Sequence, residues 1–349
     1  EGSDITIDVT STDKAVSTLT ITSTDVATTA DNTVVTLKGI QTTDTVSVTG
    51  PTTGKYTDTV ITYDSVTGSA DSASLTLGHH HSEVAVAGIE TLSVTVADFA
   101  GSLTAEDAET VTITSGSTTT KTSTITDLVQ ATADLATLNL AGSGEKIDIN
   151  NTDINFKASG VVNITNTGTS QIAIANLAAS SNTLTVTGGA GKDDVDIDQV
   201  SQGTITINTG ANDDTVTIDG GSVTVDTGAG NDIVVATTWA SITTADSIDL
   251  GDGTLDRVKS SDQTTLNSSD KTIAGYFSNA EIIETTTATA KVFDFNGLSV
   301  IDHIIDSGGV AATGGATSNA TGTDGIAVTM ESSDILELRA SVTGGNGGS

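Results

Sequence analysis

Three stretches of this chain share one wording: Gly188-Gly189-Ala190-Gly191-Lys192-Asp193, Thr209-Gly210-Ala211-Asn212-Asp213-Asp214 and Thr227-Gly228-Ala229-Gly230-Asn231-Asp232. A fourth, LGDGTLDRV (250–258), falls into register if one residue is inserted before Asp256. Each passes through a small, Gly-rich turn, ends on an Asp and returns at once to aliphatic residues. An ordinary hairpin needs only two turn residues. Glycines let a backbone fold so that several carbonyl oxygens point the same way, and the Asp adds a hard, anionic oxygen. Calcium seeks six to eight such oxygens. The competing reading is a dry loop in which Gly and Asn serve only to adopt positive φ.

The turns resemble the RTX nonapeptide G-G-x-G-x-D-x-U-x, which builds calcium-binding β-rolls. That resemblance places the family's Asp ligand on Asp193, Asp214, Asp232 and Asp256. The full candidate set is Gly188, Ala190, Lys192 and Asp193, then Thr209, Ala211, Asp213 and Asp214, then Thr227, Ala229, Asn231 and Asp232, then Asp252 and Asp256, with Ca2+ as the ion. Thr stands where the first Gly is expected in two copies, and Asn212 replaces another Gly. The aligned Asp residues lie 21, 18 and 24 positions apart rather than nine. A β-roll coil holds two strands and two turns, so turns on one edge recur at about 18 residues. The expected arrangement is a one-edged ladder with calcium between successive turns. DQVSQG, DGGS and TTWAS, on the opposite edge, lack the motif.

The elements that would carry such a ladder are strands. Period-two alternation runs through DITIDVT, STLTITST, TVSVTG, TLSVTV and TVTITSG, with Ile, Val or Leu on one face and Thr on the other. From 184 onward the apolar pairs are Leu184/Val186, Val195/Ile197, Ile205/Ile207, Val216/Ile218, Val223/Val225 and Ile233/Val235. The spacing predicts an all-β, elongated, right-handed parallel β-helix or β-roll solenoid with Thr-rich strand repeats. Three regions are expected: a Thr-rich strand region over 1–126, the calcium-turn solenoid over 127–260, and a C-terminal β region with a flexible tail over 261–349. DLVQATADLATLNL (127–140), with Asp127 as N-cap, predicts one or two helical turns, and SNAEIIET (278–285) another short one. SGGVAATGGATSNATGTDG (307–325) and TGGNGGS read as a low-complexity loop and a flexible end.

Composition narrows the function. Of the 349 residues, 45 are acidic and 12 basic, a net charge of −33, which argues against nucleic acid as partner and favours divalent cations, a high-salt setting or simply solubility. There is no cysteine, so neither a disulfide nor a thiolate site exists and metal binding is the available staple. No apolar run reaches the roughly 20 residues of a membrane helix. The opening EGSDITIDVT carries no signal-like segment, so the numbering is expected to start inside a mature or processed protein.

GIETLSV (88–94) resembles the G-[IVF]-E-T-[LMV] segments of bacterial S-layer proteins exported by type I systems. ATLNLAGSGEKIDI (136–149), NTLTVTGGAGKDDVDI (182–197) and TGANDDTVTI follow in the order used in that family. FSNAEIIETTTATAKVFDFNGLSVI (277–301) resembles the segment after its calcium turns. The resemblance implies a secreted, calcium-dependent lattice protein on the outer surface of a Gram-negative bacterium, its partner being further copies of itself; cell-surface polysaccharide is a second partner to be expected of such a surface protein. The family's C-terminal secretion region is not recognisable in ELRASVTGGNGGS, which suggests a fragment or a differently assembled relative.

Enzymatic alternatives find little support. GHHHSE (78–83) invites a zinc reading, but consecutive strand histidines face alternate sides, leaving His79 and His81 to share an ion. A loop-tip histidine cluster is the simpler account. HExxH and G-x-S-x-G are absent, and His303 has no nucleophile arrangement near it. Glu106, Asp107 and Glu109 read as surface acids. Tyr56, Tyr63, Trp239, Tyr276 and Phe277 are too scattered for a sugar-stacking platform, which weighs against a β-helical polysaccharide-active enzyme. An adhesin or filament subunit built from the same coils is the nearer alternative to a planar array. No catalytic residue is expected.

Overall fold

A computed structural model of the chain describes residues 4–9, 18–22, 34–50, 58–64, 66, 68, 70–116, 121–129, 135–144, 146–150, 161–178, 183–198, 204–219, 222–260, 265–266, 276–285, 292–294, 303–306, 327–329 and 335–338. Most of them are strand, and no α-helix occurs among them. Every strand pairing with a described register is parallel. Most strands pair with the next strand but one, as in a solenoid with two strands per coil, whereas the long strands Ser72–Ala87 and Thr91–Ala105 each run through both positions of a coil and pair with each other along their length. The protein is a parallel β-solenoid, and its chain falls into two compact units, residues 1–210 and 211–349.

In the first unit one stack of strands runs Thr18–Thr22, Thr45–Thr49, the start of Ser72–Ala87, the start of Thr91–Ala105, Thr110–Ser115, Thr137–Ala141, Val161–Asn166, Thr183–Thr187 and Thr204–Asn208. The second stack runs Ile5–Asp8, Val34–Ile40, Asp58–Tyr63, the ends of the two long strands, Thr122–Val129, Lys146–Asn150, Ile172–Ala178 and Asp194–Asp198. Alternation decides which side chains face inward. Leu138 and Leu140 are fully buried over Val111 and Ile113, and Ile164 lies over Leu138. Because successive coils are in register, like residues stack on like, and thin columns of Ile, Val and Leu replace a broad aromatic core.

In the second unit Thr215–Ile218, Ile233–Ala236, Arg257–Ser260, Ile282–Thr285, His303–Asp306 and Ile335–Leu338 form one stack. Ser222–Asp226, Ser247–Asp249 and Phe277–Ser278 form another. Thr265–Leu266, Val292–Asp294 and Ala327–Thr329 pair separately. Trp239, at 1% exposure, opens a short 3-10 turn and stacks on Phe277 with ring centroids 5.6 Å apart.

The structure corrects three expectations. Asp127 to Val129 finish a strand and Thr137–Ala141 forms another, so no helix begins at Asp127; residues 130–134 lie outside the described set. Coil stacking overrides the weak capping signal there. Ile282–Thr285 is likewise a strand, held in register on Arg257–Ser260. In the last apolar pair the inward residues are Val234 and Ala236, whereas Ile233 and Val235 are half-exposed. Ile233 pairs with outward-facing Thr215 and Val234 with buried Val216, so the register between coils, not local hydrophobicity, sets the phase. The loop over 307–325 and the tail TGGNGGS lie outside the described residues.

Candidate metal centre

Asp193, Asp214, Asp232 and Asp256 are all essentially inaccessible, at 0%, 1%, 0% and 0% exposure. Each immediately precedes a strand that opens with one outward residue and one inward aliphatic: Asp193-Asp194-Val195, Asp214-Thr215-Val216, Asp232-Ile233-Val234 and Asp256-Arg257-Val258. The Asp therefore points to the same side as the core, at the corner where the coil turns.

What the carboxylates hold is backbone. In the first unit Asp193 Oδ1 accepts the Ile172 N–H at 3.2 Å and Oδ2 accepts the Gly189 N–H at 3.1 Å. In the second unit the pattern becomes a ladder. Asp232 Oδ1 accepts the Asp214 N–H at 2.8 Å, and Asp256 Oδ1 accepts the Asp232 N–H at 2.7 Å. Glu281 Oε2 then accepts the Asp256 N–H at 2.8 Å. Each acid thus caps the strand start of the coil before it. Glu281 escapes a reading of the Gly-Asp phrase because its turn lacks the Gly run. Its signal is the acid-x-aliphatic phrase Glu281-Ile282-Ile283, which recurs as Glu90-Thr91-Leu92, where Glu90 Oε2 accepts the Asp71 N–H.

The turns themselves stack. Ala211, Ala229 and Asp252 form successive parallel bridges. Asp213 Oδ1 accepts the Asn231 N–H at 2.8 Å, and the Thr227 hydroxyl donates to the Leu250 carbonyl at 2.8 Å. Thr209 and Thr227 are buried, Gly188 and Ala211 half-buried, and Ala190, Lys192, Asp213, Ala229, Asn231 and Asp252 exposed. Lys192 offers an ion only its carbonyl.

A Cβ placed on Gly188 would lie 2.3 Å from the Thr209 carbonyl oxygen and 2.4 Å from Asp193 Oδ2. One on Gly230 would lie 2.2 Å from the Asn212 carbonyl and 2.9 Å from Asp232 Oδ1, and one on Gly253 would lie 2.3 Å from both the Gly230 carbonyl and Asp256 Oδ2. Three turns therefore bring a carboxylate oxygen and a neighbouring coil's carbonyl oxygen against one small, side-chain-free space. The second oxygen of Asp256 is buried with no hydrogen-bond partner. These features fit a hard divalent cation. Among the described residues no three His, Cys, Asp or Glu side chains cluster, so backbone oxygens must complete any such site.

The electrostatics agree. Burial pushes the Asp193 carboxyl up to about 6, against the N–H groups of Gly189 and Ile172 and the Asn166 side chain. Asp256 is also pushed up to about 6, first by burial and then by the charges of Glu281, Asp232 and Asp213. Asp232 is raised by burial, opposed by the Asp214 N–H and the Thr227 hydroxyl and reinforced by Asp213. A carboxyl raised on folding binds extra protons in the native state, so native stability declines as pH rises between the unfolded and folded values. In calcium-free buffer the urea midpoint is expected to fall from pH about 4 to about 6 and then level off; a midpoint rising through that window refutes the assignment.

Gly251 carries a backbone test of the corner. Its φ is +76°, and a Cβ there would meet the Gly228 carbonyl oxygen at 1.9 Å. Gly251→Ala is expected to cost at least about 1–3 kcal/mol, read from the urea midpoint, because the conformation is strained and the coil must open.

His79 sits elsewhere, at a corner of the first unit beside a cavity of about 520 Å³ lined also by Thr49, Gly78, Asp98 and Lys121. Its Nδ1 lies 3.6 Å from Asp98 Oδ2, which receives the Lys121 ammonium at 2.8 Å. The side chains of His80 and His81 lie outside the described residues.

The fold and corner define a parallel β-solenoid with an internal ladder of acidic caps. No family model, curated protein or solved structure matches this chain. No helix among the described residues is long and apolar enough to cross a membrane.

Proposed function

We propose that this is a secreted, calcium-ordered structural protein that assembles with copies of itself into an S-layer or related surface array. The observation that carries the reading is the recurring pairing of a buried carboxylate with a neighbouring coil's carbonyl oxygen beside a turn glycine, at Gly188, Gly230 and Gly253. Asp193, Asp232 and Asp256, with those carbonyls, would hold the ions. Bound calcium supplies the positive charge that a solenoid of net charge −33 lacks at its corners. Extracellular calcium modules bind with dissociation constants of roughly 10⁻⁴–10⁻³ M. Such affinity leaves the coils less stable where calcium is scarce and tightens them outside the cell.

Circular dichroism and negative-stain electron microscopy through a calcium titration test this. β-Signal and ordered assemblies are expected to rise together in the millimolar range. Equal order and assembly in excess chelator would defeat the calcium reading. Helical rather than planar order in the micrographs would select the filament or adhesin alternative.

A further inference from the structure

The two stacks of the first unit differ in what they show to solvent. On the stack that begins at Thr18–Thr22, outward positions alternate with inward Val, Leu and Ile, buried from Thr45–Thr49 onward, and carry Thr, Ser or Asn almost without exception. One row passes in register through Thr91, Thr110, Thr137, Asn163, Thr185 and Thr206. Among the described residues no outward position within these strands holds Asp, Glu, Lys or Arg. The other stack presents Lys38, Asp58, Lys146, Asp148, Asp194 and Asp196.

We infer that this uncharged Ser/Thr/Asn sheet face is where a second copy of the chain docks. The inference rests on the self-assembly reading and names the surface that assembly uses. A chain of charge −33 repels its copies wherever acids approach each other. Two sheets packed face to face sit about 10 Å apart, and charge is screened over about 8 Å at physiological ionic strength. The strands of this face bring no carboxylate of their own to such a contact; the nearest acids, Glu90 and Glu109, stand at the turns before Thr91 and Thr110. Nine strands at about 4.8 Å spacing and about five residues in length present roughly 700 Å². A stable interface uses about 800 Å² per partner, so the face is large enough to supply most of one. The methyl and hydroxyl of each Thr give van der Waals contact and hydrogen bonds without a buried charge. Cell-surface polysaccharide is the competing occupant.

The test places like charges on the face. Thr112→Asp with Thr185→Asp, and separately both to Lys, are compared with Thr62→Asp plus Thr124→Asp on the other stack. Association is followed by analytical ultracentrifugation in calcium at physiological salt, and folding by circular dichroism. Both face variants are expected to fold and to associate at least tenfold more weakly, the control to associate as wild type, and a mixture of Asp and Lys variants to regain association. Face variants that fold and associate like wild type overturn the inference. So does a wild-type chain that stays monomeric while binding polysaccharide through these threonines. Folding without calcium, by contrast, removes the calcium reading and leaves this one standing.

Discussion

Asp256→Asn is expected to make the protein more stable than wild type in calcium-free buffer at neutral pH and less stable in calcium. The crossing follows from separating the two things Asp256 does. Its Oδ1 caps the Asp232 N–H, and an Asn oxygen can keep that bond. Its charge is another matter: it is buried, faces Glu281, Asp232 and Asp213, and has a second oxygen without a hydrogen-bond partner. Removing an uncompensated buried charge relieves desolvation. With calcium present the same charge is a ligand. A site filled at 100 times its dissociation constant adds about 2.7 kcal/mol, which the Asn variant forfeits in large part. Asp232→Asn should behave alike, and the pair together should abolish most calcium dependence in the second unit. The measurement is the urea midpoint with and without calcium. A variant with the same offset from wild type in both buffers would show that the ladder is a dry cap.

Trp239→Ala is expected to unfold the second unit selectively, at a cost of about 3–5 kcal/mol. The side chain is the largest that is fully buried, and it stacks on Phe277 in a fold that otherwise fills its interior with Val and Ile. Few neighbours can move into the space, because each is fixed by the parallel ladder of its coil. Proteolysis followed by mass spectrometry should show cleavage spreading through 211–349 while peptides of 1–210 stay protected. Cleavage appearing equally in both units would mean that they unfold as one. Trp239 is also the only tryptophan, so in the wild-type chain its fluorescence reports the state of this unit directly.

Strand type is legible in the residues themselves. It follows from period two, because a strand turns successive side chains to opposite faces whatever its neighbours are. TLTVT and TITIN name their buried residues, Leu184, Val186, Ile205 and Ile207, through alternation alone. The Gly-Asp phrase likewise marks Asp193, Asp214, Asp232 and Asp256 as one position seen four times. Other features depend on pairing between coils and leave no local trace. Ile233 looks like an inward residue until its register with Thr215 puts it outside. Asp127 reads as a helix cap because capping is judged locally, whereas stacking on flanking coils decides the outcome. Glu281 joins the ladder only because Ile282–Thr285 is set against Arg257–Ser260. The uncharged face is likewise invisible in sequence order, where acids lie between most of the Thr-rich strands. Local chemistry determined which residues face in and which can offer oxygen. Parallel stacking, which joins positions some 20 residues apart, decided which of those oxygens meet and which surface is left without charge.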